Sequence, residues 1–109
     1  MKKQKIVQVL TTLPNRKFAR KLAHQAVLNK QAACVQIIDN VLSVYEWENK
    51  IEENEEVLLL FKVLENQLES LFLWIKQNHP YQVPEIMAFY SEKTDNDYLN
   101  WIQNVLKNK

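Results

Sequence analysis

The stretch Val57-Leu-Leu-Leu-Phe61 holds five apolar residues in a row, with no polar residue between them. Successive side chains of a β-strand point to opposite faces, so a strand of this composition is apolar on both. Around it, residues 51–63 read as one extended arm, and residues 41–47 as its partner. Glu48-Asn49-Lys50 between them reads as a hairpin tip. Upstream, residues 33–38 set Ala33, Val35 and Ile37 on one side and Cys34 and Ile38 on the other, and a break follows near Asp39-Asn40. Residues 85–90 make a further strand after Pro84, and its Ile86-Met-Ala-Phe-Tyr90 has no polar side. A half-exposed antiparallel sheet alternates between apolar and polar residues; these strands do not. Burial is worth about 25 cal/mol per Å² of apolar surface, so the second face is expected to be covered by association with other copies. The alternative is that the last helix folds over that face.

The remaining elements follow from periodicity. Residues 6–11 are a short β-rich strand. Pro14-Asn15 opens a helix with Asn15 as N-cap, and Phe18, Leu22, Ala26 with Ala19, Ala23, Val27 form its apolar stripe. Residues 64–77 form a second helix with Leu68, Leu71, Phe72 and Ile75 inward, Asn66 as its cap and Glu69 at the third position. Pro80 stops it, because the residue before a proline is pushed out of the helical region. Thr94-Asp-Asn-Asp97 has capping-box spacing and opens a last helix with Tyr98, Trp101, Ile102 and Val105 on one face. The order β-α-β-β-α-β-α predicts an α+β, ferredoxin-like fold: βαββαβ plus a C-terminal helix, an antiparallel sheet and a long β-hairpin.

Composition narrows the function. The 109 residues fit a single domain over positions 1–109. Fourteen Lys and Arg balance thirteen Asp and Glu, leaving a net charge of +1 and no field to draw in a polyanion. Basic residues do not interleave with aromatics either, so no nucleic-acid partner is expected. One cysteine, Cys34, excludes an intrachain disulfide and a thiolate-rich zinc site. The absence of glycine excludes a Walker loop, a Rossmann fingerprint and a glycine-flanked nucleophile elbow. Positive-φ turns then fall to asparagine, with Asn40 and Asn49 the candidates. No apolar run approaches the ~20 residues of a spanning helix. Met1-Lys-Lys-Gln-Lys5 and the stretch after it imitate a signal peptide, but Gln8, Thr11 and Thr12 interrupt that stretch and Arg16, Lys17, Arg20 and Lys21 follow at once. A cytoplasmic protein with no membrane partner is expected.

Candidate chemistry is sparse. Glu46, Glu48, Glu52, Glu53, Glu55 and Glu56 crowd the hairpin, as a weak hard-cation site or as solvated or partner-facing charge. Arg16, Lys17, Arg20 and Lys21 make a basic patch on the first helix. His24 lies beside an apolar stripe, and Cys34 sits mid-strand as a small hydrophobe. His79-Pro80-Tyr81-Gln82-Val83-Pro84 is a proline-stiffened loop holding an imidazole and a phenol, a reasonable binding element. Ser43, Ser70 and Ser91 lie in no nucleophile motif, so catalysis is not expected.

Gln31-Ala-Ala-Cys34, Val44-Tyr-Glu-Trp47-Glu-Asn-Lys-Ile51, residues 56–62, His79-Pro-Tyr-Gln-Val-Pro-Glu85 and Asp97-Tyr-Leu-Asn-Trp101 follow one another in this order. Together they resemble the CutA family of divalent-cation tolerance proteins, over residues 6–106. The resemblance implies a PII-like homotrimer whose hairpins reach across to neighbours, and a role in the response to metal ions, copper in particular. Asn49 stands where the family commonly has glycine. The family's copper set, a cysteine and two histidines, falls here on Thr11, Asn78 and His79. Cu(I) favours thiolate ligands, so His79 is the expected metal ligand, for copper or another divalent cation held weakly, and no cofactor is certain. Lys62, Tyr81, Tyr45 and Trp47 are expected to shape a cleft between subunits. Two other readings stand beside this sensor. One is an interaction protein that binds a protein partner and no metal. The other is an enzyme using Lys62 and His79 as acid–base groups.

Overall fold

The computed structural model describes residues 4–107; residues 1–3, the basic start of the chain, and residues 108–109 lie outside the described part. Four strands and three helices follow in order: β1 (Ile6–Leu13), α1 (Arg16–Leu28), β2 (Cys34–Trp47), β3 (Lys50–Leu64), α2 (Leu68–Asn78), β4 (Ile86–Tyr90) and α3 (Asn96–Leu106). The strands form one sheet in the order β2-β3-β1-β4, each neighbouring pair antiparallel. This is the expected ferredoxin-like arrangement with a helix added at its end.

Strand β3 shows why the apolar run has no alternation. Val57, Leu59, Phe61 and Val63 are buried against α1 and α2, together with Val7, Val9 and Leu13 of β1. Helix α1 contributes Ala19, Leu22, Ala23 and Ala26 to this core, and α2 contributes Leu71 and Ile75. Leu58, Leu60 and Lys62 point the other way and are half-buried. Across them lie Thr12, Leu10 and Gln8 of β1. On β2 their partners are Ile38, Gln36 and Cys34.

Helix α3 covers one end of this second face. Ile6 and Leu64 pair across β1 and β3, and Leu99, Ile102 and Leu106 of α3 close over them with Ala33. The cover stops there. Ile38, Met87 and Phe89 remain close to half exposed on the same face. The final helix therefore does part of the work that association was expected to do. The face it buries also differs from the expected one: Ile102 is buried and Val105 packs beside it, but Leu99 and Leu106 fill the core while Tyr98 and Trp101 stay outside, stacked at 5.9 Å.

The hairpin of β2 and β3 runs past the core and gives the molecule its 50 Å long axis. Its tip turns through Glu48 (φ 51°) and Asn49 (φ 66°), the two left-handed residues of a type I′ turn. One extra residue on β2 makes a bulge between Ile38 and Val41, where Asn40 adopts φ 63°. Both expected asparagines thus take positive φ, and Glu48 and Lys30 do so as well. Lys30 ends α1: its N–H and that of Gln31 bond back to Val27 and Ala26, closing a Schellman motif in which glycine is the usual residue.

Caps were partly as expected. Asn15 accepts the Phe18 N–H at 2.8 Å. The last helix is capped by Asp95, which accepts from Asp97 and Tyr98, while Thr94 donates instead to Ser91. Asn66 caps nothing, because Glu65–Gln67 form a 3-10 turn ahead of α2. None of the helices in the described residues is long and apolar enough to cross a membrane.

Candidate functional site

Pro80 ends α2 and holds His79 extended (φ −85°, ψ 137°). The imidazole thereby meets the end of β1. Its Nε2 lies 2.9 Å from the Thr12 carbonyl and 3.1 Å from the Thr11 hydroxyl. The Tyr81 N–H donates to Nδ1 at 3.1 Å. An accepting Nδ1 puts the ring proton on Nε2, where the Thr12 carbonyl accepts it. Burial pushes the His79 pKa below its ordinary value, opposed by the Thr12 carbonyl and the Glu56 charge. The ring is therefore neutral at pH 7, with both nitrogens engaged.

Tyr81 continues the chain of contacts. Its ring lies 4.9 Å from that of His79, and its hydroxyl donates to Glu56 at 2.8 Å. Burial raises the phenol pKa well above the usual tyrosine range, and the Glu56 carboxylate adds to the shift. Glu56 sits at the foot of the hairpin, on the face shared with Leu58. Nearby, the Asn54 amide donates to the Tyr45 hydroxyl. Between the hairpin foot and residues 80–85 opens a cleft of about 750 Å³. Tyr45, Trp47, Tyr81, Asn54, Glu56 and Glu85 line it, with Thr12 beside them.

Of the expected cleft residues, Tyr81, Tyr45 and Trp47 come together, and His79 braces the loop behind them. Lys62 does not join them within one chain. It lies six residues along β3 from Glu56, about 20 Å away at the rise of a strand. There its amine donates to Gln8, across the sheet from Cys34. Burial lowers its pKa, against the influence of Cys34. Thr11 is buried, and Asn78 turns back to the Trp74 carbonyl at 2.8 Å, away from His79.

The acidic run does not assemble into a cation site: among the described residues no three of His, Cys, Asp and Glu converge. Of its six glutamates, Glu56 turns into the cleft, while Glu52, Glu53 and Glu55 are exposed along the arm. In the basic patch Arg16 pairs with Asp39 at the bulge. Of the cleft residues, Glu56 was named above only within the acidic run and Asn54 not at all. Strand parity carries the signal, since both share a face with Leu58 and Leu60.

A ferredoxin-like sheet with an overlong hairpin, whose foot and a proline-braced loop enclose a cleft, defines the class. The profile described as CutA1 divalent ion tolerance protein matches residues 7–105, and the chain belongs to that family. Over 96 residues it is 42% identical to the divalent-cation tolerance protein CutA of Yersinia pestis, covering 88% of this chain and 81% of that protein. It is 40% identical to the chloroplastic protein CutA of Arabidopsis thaliana over 94% of its own length but spans only 56% of that relative. Among solved structures, CutA1 from Oryza sativa superposes with a TM-score of 0.90 at 37% identity, over 93% of each chain.

Proposed function

We propose that this chain works as a non-enzymatic homotrimer in the tolerance of divalent metal ions, taking an ion or small ligand weakly at clefts that the assembly completes. The observation that carries this reading is the bare hairpin. Leu42 and Val44 are each 58% exposed and Ile51 is 71% exposed, on one face of an arm with no core beneath it. Contiguous apolar surface of this kind marks an association site. The half-open second face offers such a surface on the next copy, and the PII-like trimer is the assembly that satisfies both.

Relatives named for divalent-cation tolerance support the metal role. The donors at the cleft are mostly oxygens, from Glu56, Glu85, Tyr45 and Asn54, which suit hard cations. Copper would use His79 only after displacing the Tyr81 N–H or the Thr12 carbonyl, and Thr11 adds no soft donor, so copper is held weakly. The same engagement leaves His79 without a free lone pair for acid–base work, which supports a non-catalytic role. It also favours the second reading, a PII-like interaction protein whose partner is another protein.

Calorimetric titration with Cu²⁺ and Zn²⁺ of wild type, His79→Ala and Glu56→Gln tests the proposal. We expect weak heats, with copper reduced by His79→Ala and zinc by Glu56→Gln. Equal heats from all three proteins remove the cleft as the metal site.

A further inference from the structure

Residues two apart on a strand share a face, so Tyr45 and Trp47 of β2 raise two aromatic rings on the side of the hairpin that looks onto residues 80–85. Tyr81 brings a third ring from that loop. Two carboxylates stand in the same lining, Glu56 from the hairpin foot and Glu85 from the far end of the loop. Among the described residues, no Lys, Arg or His lines the cleft. Lys50, across from Trp47 at the hairpin tip, is exposed and stands outside the lining. We propose that the cleft binds a small organic cation, an ammonium group carrying alkyl substituents. The proposal rests on the reading of this cleft as the ligand site and narrows the ligand to one class.

The face of an aromatic ring is its negative side, and a cation within about 6 Å of the ring centre is attracted to it. Two of the rings are tied down at their hydroxyls. The Asn54 amide donates to Tyr45, and Tyr81 donates to Glu56 at 2.8 Å. Burial keeps the Tyr81 phenol protonated, helped by Glu56 and Tyr45, so the ring stands as a neutral π face beside a carboxylate. Size separates an organic cation from a bare ion. A hard divalent ion such as calcium takes about six to eight converging oxygens, whereas no three of His, Cys, Asp and Glu converge among the described residues. The cleft of about 750 Å³ has the volume of a small-molecule site instead. Val44, Pro80 and Val83 add apolar wall, which alkyl groups match and a hydrated ion does not. A neutral ligand leaves the two carboxylates without a counter-charge, and an anion is repelled by them.

The test is calorimetric titration of the full chain with tetramethylammonium chloride, with tert-butanol as a neutral molecule of similar size, and with sodium acetate as an anion. We expect saturable binding of tetramethylammonium alone. Trp47→Leu, which keeps an apolar side chain but removes the ring, should weaken it about tenfold, and Trp47→Phe should recover most of the loss. Glu85→Gln, at an exposed position, should weaken it as well, by about threefold for an ion pair open to water. Size-exclusion elution and circular dichroism show whether each variant keeps the wild-type fold and assembly. Where Trp47→Leu does not, Glu85→Gln carries the test. Equal affinity for tert-butanol, saturable binding of acetate in place of the cation (as a Lys62 amine from a neighbouring copy would favour), or undiminished binding by the folded variants would overturn the proposal. Zinc tells this proposal from the metal reading. Tetramethylammonium binding without zinc heat supports the organic cation and removes the metal, and zinc heat without tetramethylammonium binding does the reverse.

Discussion

His79 is held by two hydrogen bonds of opposite polarity, one accepted at Nδ1 and one donated from Nε2. Protonation would place a second N–H against the Tyr81 N–H, so the folded protein resists it, in line with a pKa pushed below 6.5 by burial. The unfolded chain then binds more protons than the folded one as pH falls below 6.5. Stability is full above that pH and declines beneath it. Urea unfolding between pH 7 and pH 5 should show a loss in wild type and a flatter profile in His79→Gln; parallel profiles would contradict the account. Tyr81→Phe should cost about 1–2 kcal/mol, because the half-buried Glu56 carboxylate loses its donor. The urea midpoint at neutral pH measures it. The proline-braced loop was legible from its residues alone. Its target was not, because nothing local tells that an imidazole after α2 will meet the end of a strand 67 positions earlier.

Elements were legible where local chemistry governs them. Asn15 caps α1, Pro80 stops α2, and the hairpin turns at Glu48-Asn49, each for a reason confined to a few residues. Elements were less legible where two local solutions compete. Thr94 and Asp95 both suit a cap, and the aspartate wins while the threonine turns to Ser91. On α3, Tyr98 and Trp101 lie beside the stripe of Leu99, Ile102 and Leu106, and the choice between them depends on the sheet face the helix meets. A chain without glycine also leaves strain where glycine would relieve it. Lys30 occupies a left-handed position at the end of α1, at φ 58°. Lys30→Gly should raise stability by about 1 kcal/mol, since a side chain costs roughly that much in this region. Replacing Glu48-Asn49 with Asn-Gly should stabilise the type I′ tip in the same direction. A lower denaturant midpoint for either variant would refute the strain assigned to those turns.

At the scale of the whole molecule, two surfaces lack a cover among the described residues of one chain: the hairpin arm and the part of the second sheet face that α3 leaves open. The doubly apolar run at Val57–Phe61 foretold the second of these. It did not foretell that α3 would claim one end, since that depends on Ile6 and Leu64 pairing across β1 and β3. Lys62 marks the same boundary. It stands about 20 Å from the cleft along its own strand, and a cleft that includes it requires another copy. Ile38→Lys, on the open face but outside the helical core, should shift the protein towards smaller species while its circular dichroism stays that of the folded chain. Phe61→Ala, in the core, should instead cost about 3–5 kcal/mol of stability.

Light scattering coupled to size-exclusion chromatography tests the assembly most directly. The threefold account predicts a single species at three times the 13.0 kDa chain mass that persists on dilution. A folded species that stays at 13.0 kDa across the dilution series would contradict it.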